Sequence, residues 1–242
     1  DDGSTPKDNP FFAAGAEIDG ETGANVRRIF AYGIRNSFGM AFDPYTGHLW
    51  DQENGEDAYD EINRVVKGSN SGWIQLTGPA SRIAGYKRIE TTSLFGEDFP
   101  NLQQFRWGPE RIANGPVNAF NRMYKLPGSV YSDPEFSFRY VLAPAGIGFL
   151  QSDNLGRRYR GDLFVGFATF EPQGGPIYRF NLSQDRRSLS FQDSRLNDKV
   201  MDNLTFHSTE EGESLVFGTN FGIVTDIRTG PNGNLYVVSL AN

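Results

Sequence analysis

The densest group of chemically capable side chains lies close to residue 55. Six carboxylates fall between residues 51 and 61, and no basic residue interrupts them. They are Asp51, Glu53, Glu56, Asp57, Asp60 and Glu61. Carboxylate oxygens are the ligands that hard cations such as calcium prefer, so this stretch is a candidate cation site. A solvated acidic loop without a ligand is an equally open alternative.

Other common catalytic groups are scarce. The chain has no cysteine, so a thiolate nucleophile, a Cys-ligated zinc and a disulfide are excluded. His48 stands in a tight turn and His207 in a polar loop, and both are interpreted as surface residues. No glycine-rich phosphate loop, Gly-x-Ser-x-Gly elbow or His-Glu-x-x-His motif occurs. A metal in the acidic stretch would therefore be bound through oxygen atoms.

The composition predicts that β-strands position these residues. The chain holds 28 Gly and 13 Pro, and windows with helical periodicity are hard to find, so an all-β fold with frequent turns is expected. The net charge of −7 argues against a nucleic-acid partner. The longest apolar stretches fall short of the roughly 20 residues that a membrane span needs.

A short pattern, Gly-polar-Leu-aromatic, occurs three times. It occupies residues 47–50, 161–164 and 233–236, after a turn and at the start of a predicted strand each time. The flanking strands form a unit of about 45 residues, the size of a propeller blade. The sequence therefore predicts one partial β-propeller domain over 1–242, with blade cores at 30–75, 146–190 and 215–242 and an irregular insertion at 78–139. An irregular β-sandwich is the alternative.

Three longer motifs follow one another in the first third of the chain. They are residues 32–44 (Tyr-Gly-Ile-Arg-Asn-Ser-Phe-Gly-Met-Ala-Phe-Asp-Pro), 60–63 (Asp-Glu-Ile-Asn) and 67–73 (Lys-Gly-Ser-Asn-Ser-Gly-Trp). In order and spacing they resemble the soluble quinoprotein sugar dehydrogenases, a glucose/sorbosone dehydrogenase-like family that includes aldose sugar dehydrogenases. The resemblance implies a six-bladed propeller, of which this chain would be the C-terminal portion, about three to four blades with long top-face loops.

The resemblance also implies a cofactor chemistry. Family members hold pyrroloquinoline quinone (PQQ) over the top of the propeller, often with calcium, and oxidise the C1 hydroxyl of a sugar by hydride transfer to the quinone. The protein supplies orientation and electrostatics. The catalytic base is a His of an early blade, and neither His48 nor His207 aligns with it. The catalytic His is therefore expected outside this chain.

Site residues follow from the same resemblance, position by position. Cofactor binding is assigned to Arg35, Asn36, Asn54 and Gly55, and calcium binding to Gly55, Glu56 and Asp57. We expect these residues to share a depression on the top face, because connections at the same end of neighbouring strands converge. In the alternative reading, Arg35 pairs with a neighbouring acid and Asn36 caps a turn.

Several family positions are substituted. Glu56 replaces a customary Pro, Thr169 stands where the family has Lys, and Thr225 stands where it has Arg. A tricarboxylate quinone needs cationic partners, for which Arg is well suited. These substitutions therefore place PQQ binding in doubt.

The sequence leaves two functions open. The first is a fragment of a PQQ-dependent sugar dehydrogenase-like oxidoreductase in an extracytoplasmic compartment, periplasmic or secreted, with a sugar substrate. The second is a non-catalytic extracellular binding or structural propeller that has lost the quinone. In both, open sheet faces require the missing N-terminal propeller segment or another copy of the chain as a partner.

Overall fold

The computed structural model describes residues 4–91, 109–168, 175–202 and 211–240. Thr169 and His207, on which two sequence-based interpretations depend, lie outside the described residues. Within the described ranges the ordered elements are mainly strands arranged in sheets. The fold is therefore mostly β, as the composition predicts.

Fourteen strands and four α-helices occur in the described part of the chain. The strands are β1 (Ser37–Phe42), β2 (Leu49–Glu53), β3 (Asp60–Val65), β4 (Ser69–Asn70), β5 (Val130–Tyr131), β6 (Phe136–Phe138), β7 (Pro144–Phe149), β8 (Leu163–Phe167), β9 (Ile177–Leu182), β10 (Leu189–Ser190), β11 (Val200–Met201), β12 (Val216–Gly218), β13 (Ile223–Thr229) and β14 (Leu235–Leu240). The helices are α1 (Phe12–Ala16), α2 (Gly20–Arg28), α3 (Ile83–Thr91) and α4 (Pro116–Arg122). None of these helices is long and apolar enough to cross a membrane.

The first sheet has the strand order β1-β2-β3-β6-β11. Asp43 organises the turn between β1 and β2, since its carboxylate accepts hydrogen bonds from Tyr45 N (3.1 Å) and Thr46 Oγ1 (2.6 Å). Gly47 completes the turn with a φ of 71°, which favours glycine. The resulting register places Glu53 of β2 directly opposite Glu61 of β3.

The second sheet is a meander in the order β10-β9-β8-β7, with β12 paired to β9, and the third is the hairpin β13–β14. The described residues form a fourth sheet from β4 and β5, and the three Gly-polar-Leu-aromatic repeats occupy equivalent places in the other three. Each repeat begins in a turn, and its Leu opens the second strand of a hairpin: β2, β8 and β14. The expected relation between repeat and hairpin is therefore confirmed.

Small residues let the first strands of the three sheets pack closely. A side chain added at Gly39 of β1 would lie 2.9 Å from Ala145 O of β7. One added at Gly148 of β7 would lie 2.1 Å from Ile227 O of β13. Since real side chains do not approach backbone oxygens so closely, both positions require glycine. β1, β7 and β13 consequently lie side by side, with β7 in the middle.

Separate hydrophobic cores hold these layers together. The largest lies between the first two sheets and contains Trp50, Ile62, Phe136, Phe138, Phe167, Tyr178 and Phe180 among its fully buried members. A second core joins the second and third sheets through Phe164, Val224 and Ile227. A third, around α3 and α4, includes Tyr59, Ile83 and Tyr86. Burial of each large apolar side chain stabilises the fold by roughly 1.5 to 3 kcal/mol.

The segment 78–139, expected to be irregular, contains regular structure in its described part. It carries α3 and α4, and β6 at its end pairs with β3 of the first sheet. Pro116 lies in the first turn of α4, where its missing N–H costs nothing. The Pro-rich composition that suggested a loop therefore marks a helix start, and the first sheet extends into this segment.

Candidate functional site

The residues assigned to the site meet at one end of the first sheet. The connection between β2 and β3, residues 54–59, is called the 54–59 loop below. The segment entering β1 lies beside it, because Asn54 N donates a 2.9 Å hydrogen bond to Asn36 O. Arg35, Asn36 and the loop thus share one end of the sheet, as the meander predicts.

The side chain of Arg35 is bound to this loop through most of its N–H groups. Its Nη1 donates to the carbonyl oxygens of Asn54 (2.7 Å) and Gly55 (2.8 Å). Its Nε and Nη2 both contact Glu56 Oε1, at 2.9 and 2.8 Å. The side chains of Arg35 and Glu56 are only 19% and 11% exposed. This arrangement agrees with the alternative given in the sequence analysis, in which Arg35 pairs with an acid, here Glu56.

Buried carboxylates hold the loop backbone from the inside. Asp60 accepts hydrogen bonds from the backbone N–H groups of Gly55 (2.8 Å), Leu142 and Ala143. Glu90 of α3 accepts from two further loop amides, Asp57 N (3.0 Å) and Ala58 N (3.1 Å). The sequence analysis missed Glu90, since nothing in its spacing links a helix residue 33 positions away to this loop.

Gly55 is required here for a steric reason rather than a conformational one. A side chain at this position would lie 2.3 Å from Ala58 O and 2.6 Å from Tyr59 O. The loop therefore folds back on itself so tightly that only glycine fits. This closure turns the carbonyl oxygens of Asn54 and Gly55 toward Arg35.

The acids of β2 and β3 form a buried polar face instead of a solvated loop. Asp51, Glu53 and Glu61 are each at most 2% exposed. Asn63 donates to Glu61 (3.1 Å), and the backbone N–H of Arg35 donates to Glu53. One oxygen of Asp51 and one of Glu53 have no hydrogen-bond partner. The solvated alternative thus fails for these three acids.

Burial dominates the protonation of this face. It raises the pKa of Asp51 to about 7, although a hydrogen bond from Asn63 opposes the shift. Burial likewise raises the pKa of Glu61 to about 7 and that of Asp60 to about 7, against the hydrogen bonds each accepts. The pKa of Glu53 is raised by burial and by the charge of Glu61 opposite. The raised pKa values favour the neutral carboxyl forms, which lowers the repulsion among these neighbouring acids.

The two asparagines of the predicted site differ in their surroundings. Asn36 is exposed, and its backbone carbonyl receives the bond from Asn54. The side chain of Asn54 is buried and donates to Pro144 O (2.7 Å) at the start of β7. Asn54 therefore connects the first sheet to the second, a role that its position beside Gly55 did not reveal.

The predicted calcium site does not fit this arrangement. The carbonyl oxygen of Gly55 and Oε1 of Glu56, two of the assigned ligands, accept hydrogen bonds from Arg35. Asp57 contributes its backbone N–H to Glu90. Within the described ranges, no cluster of three or more acidic or histidine side chains has the geometry to hold a metal ion. The guanidinium of Arg35 therefore contacts oxygens of two residues to which the sequence analysis assigns calcium binding.

The described residues do not fit PQQ either. A tricarboxylate needs cations with free donors, and Arg35 is committed to Glu56 and to the loop carbonyls. Thr225, at the position of a family Arg, is exposed and donates to Val238 O at 3.3 Å. His48 lies at the opposite end of β2, with Nδ1 3.1 Å from Arg186 O. His48 is thus distant in the fold from the proposed site, although half-buried rather than fully on the surface.

Comparison with known proteins shows which proteins this chain is similar to. A family model described as glucose/sorbosone dehydrogenase matches residues 1–91. The aldose sugar dehydrogenase YliI of Escherichia coli is 29% identical over 240 residues, covering 99% of this chain and 46% of its own. Quinoprotein glucose dehydrogenase B of Acinetobacter calcoaceticus is 42% identical over 86 residues, covering 36% of this chain and 14% of its own. The resemblance to the soluble quinoprotein sugar dehydrogenases is confirmed.

Solved structures of a glucose dehydrogenase and an aldose sugar dehydrogenase share the fold. A crystal structure of glucose dehydrogenase superposes with a TM-score of 0.57 at 22% identity, covering 97% of this chain and 48% of that one. The apo-form of the soluble aldose sugar dehydrogenase of E. coli gives a TM-score of 0.53 at 25% identity, with coverage of 97% and 48%. The chain thus spans about half the length of these relatives.

Proposed function

We propose that the protein is a sugar dehydrogenase-like oxidoreductase. The observation that carries the proposal is the similarity to an aldose sugar dehydrogenase along 99% of the chain. The finer proposal is that PQQ, if the complete protein binds it, would accept the hydride of an aldose hydroxyl, with the catalytic His supplied from outside these 242 residues. Because the described residues do not fit the quinone, the proposal rests on the relatives and not on a cofactor pocket.

A second function is favoured by one contact. The ion pair between Arg35 and Glu56 removes the cation that the cofactor would need, and the acid of that pair stands where the family has Pro. This supports a non-catalytic binding or structural propeller that has lost the quinone. A fold by itself does not certify chemistry.

The proposed architecture is a partial β-propeller of about three to four blades from a six-bladed family fold. Two apolar rows support it. Phe38, Met40 and Phe42 of β1 are 58–67% exposed at one side of the three packed sheets. Tyr236, Val238 and Leu240 of β14 are 51–60% exposed at the other. We assign these rows to contact with the remaining propeller segment or with another copy of the chain, and place the protein in an extracytoplasmic compartment.

Activity of the complete protein discriminates the two functions. The protein is incubated with PQQ and calcium, and dye reduction is followed with a panel of aldoses. Reduction that requires both PQQ and sugar supports the oxidoreductase. Absence of quinone binding by calorimetry, together with absence of dye reduction, supports the binding propeller. Glu56→Pro is the informative variant, because it frees Arg35 from its acid; quinone binding gained by this variant alone would identify Glu56 as the residue that blocks the cofactor.

A further inference from the structure

We propose that the guanidinium of Arg35 is the resident cation of the 54–59 loop. It takes the position that the family resemblance assigns to calcium, so the loop neither needs nor binds that ion. The inference is about what stabilises the loop and whether calcium binds to it. It therefore stands whether or not the protein oxidises sugars.

The contacts of Arg35 are those expected of a cation ligated by oxygens. Two carbonyl oxygens, from Asn54 and Gly55, lie 2.7 and 2.8 Å from Nη1. A carboxylate oxygen of Glu56 lies 2.8 Å from Nη2 and 2.9 Å from Nε. All three oxygens come from consecutive residues, and they converge on one side chain. A guanidinium suits this set because its N–H groups diverge in a plane and are permanently charged.

A calcium ion at the same place would be opposed by both geometry and charge. Calcium takes about six to eight oxygen ligands at roughly 2.3–2.6 Å, whereas three of the oxygens of this loop are already bound to Arg35. The positive charge of Arg35 also lies within hydrogen-bond distance of those oxygens. Because the side chains of Arg35 and Glu56 are largely buried, water screens the repulsion between the two cations only in part.

The loop is also ordered from its other side without a metal. Asp60 accepts from Gly55 N, and Glu90 accepts from Asp57 N and Ala58 N. The steric closure at Gly55 adds a further constraint on the backbone. Backbone donors face inward to carboxyl groups, and backbone acceptors face outward to Arg35. With both sets of groups paired inside the chain, no orphan carbonyl of Asn54 or Gly55 is left for an added cation.

The test compares calcium responses of the melting temperature in the wild type and in matched variants. We expect the wild type to melt at the same temperature in excess calcium and in chelator. Arg35→Met, which keeps length but removes the charge and the donors, should expose Glu56 and two carbonyls and gain a calcium-dependent rise in melting temperature. Arg35→Lys keeps a cation in place and should remain unresponsive. Calorimetric titration with calcium checks binding directly.

Two results would overturn the proposal. One is a wild-type protein that calcium stabilises and chelator destabilises, with the response reduced in Glu56→Gln. The other is a folded Arg35→Met variant that shows no calcium response, since the position would then not be a cation site at all. The wild-type measurement keeps the proposal testable even where Arg35→Met does not fold. Neither measurement involves sugar or dye, so failure of the oxidoreductase proposal leaves both results interpretable.

Discussion

Arg35 and Arg186 stand at opposite ends of the first sheet and can be compared contact by contact. Both side chains are 19% exposed. Arg35 pairs with Glu56 and donates to two carbonyls of the 54–59 loop. Arg186, in the turn between β9 and β10, pairs with Asp43 at 2.7 Å and donates to Gly161 O at 2.7 Å. The same chemistry, a guanidinium holding an acid and backbone oxygens, occurs at both ends.

The two ion pairs differ in what they join. Arg186 connects the second sheet to the turn after β1 in the first sheet, and the carboxylate of Asp43 is fully buried. Arg35 binds a loop of its own sheet, and Glu56 remains 11% exposed. The sequence motif assigns a function to Arg35, whereas none of the sequence motifs includes Arg186. The sequence motif thus identified the ion pair whose acid is the less deeply buried of the two.

The largest loss of stability is expected when the ion pair between Arg186 and Asp43, which joins the two sheets, is broken. Arg186→Met leaves the carboxylate of Asp43 buried without its cation, and loss of one partner of a buried pair costs about 3 to 5 kcal/mol. Denaturant unfolding should show a loss of that size. The exposed neighbour Arg187 provides the control, since Arg187→Met should change the free energy of unfolding by less than about 0.5 kcal/mol. Equal effects of the two substitutions would remove the distinction drawn between them.

Asp51 is buried like Asp43 but forms no ion pair with an arginine of the described residues. Its contribution to stability should therefore depend on pH in the opposite direction. Burial raises the pKa of Asp43, but hydrogen bonds from Arg186 and Thr46 outweigh it and leave that pKa below its ordinary value. Burial raises the pKa of Asp51 to about 7. Asp43 therefore contributes stability that is lost as pH falls through its lowered pKa. Asp51 contributes stability that is lost as pH rises from about 4 to about 7.

Asp51→Asn tests this difference. The variant should lose part of the decline in stability between about pH 4 and pH 7, by at most about 4 kcal/mol, because burial raises the pKa of Asp51 to about 7 in the folded state. Asp8→Asn, at a side chain 87% exposed, is the control and should leave the profile unchanged. Unfolding free energies measured across this pH range check it. A profile for Asp51→Asn that is parallel to the wild type would show that Asp51 titrates normally.

The smallest effect is expected at Glu56. Glu56→Gln keeps an oxygen that accepts from Arg35 but removes the charge, and hydrogen bonds to charged groups exceed neutral ones by about 1 kcal/mol. Asp43→Asn makes the same chemical change in the fully buried pair and should cost more. Thermal melts of the two variants side by side provide the measurement. A larger loss of stability for Glu56→Gln than for Asp43→Asn would contradict the expectation that the more deeply buried pair contributes more.

The fold was predictable from the sequence wherever local chemistry decides it. Gly47 and Gly233 mark hairpin turns through positive φ, and the repeat that contains each one opens β2 or β14. The meeting of Arg35 with the 54–59 loop also followed from the meander. Glu90 was not predictable, because α3 is brought to the loop by packing in a shared hydrophobic core, and the sequence spacing does not show that packing. Burial of Asp51 was hidden for the same reason, since a carboxylate in a sequence carries no sign of what covers it.

The most direct test of the account is a double-mutant cycle between Arg35 and Glu56, measured by equilibrium unfolding. The central claim is that Arg35 is a structural cation of the loop, and contacting residues of this kind couple by about 0.5 to 3 kcal/mol. We expect Arg35→Met alone to lower stability clearly, and to lower it less when Glu56→Gln is already present. Stability of Arg35→Met within about 0.5 kcal/mol of the wild type, with no coupling to Glu56, would contradict the account.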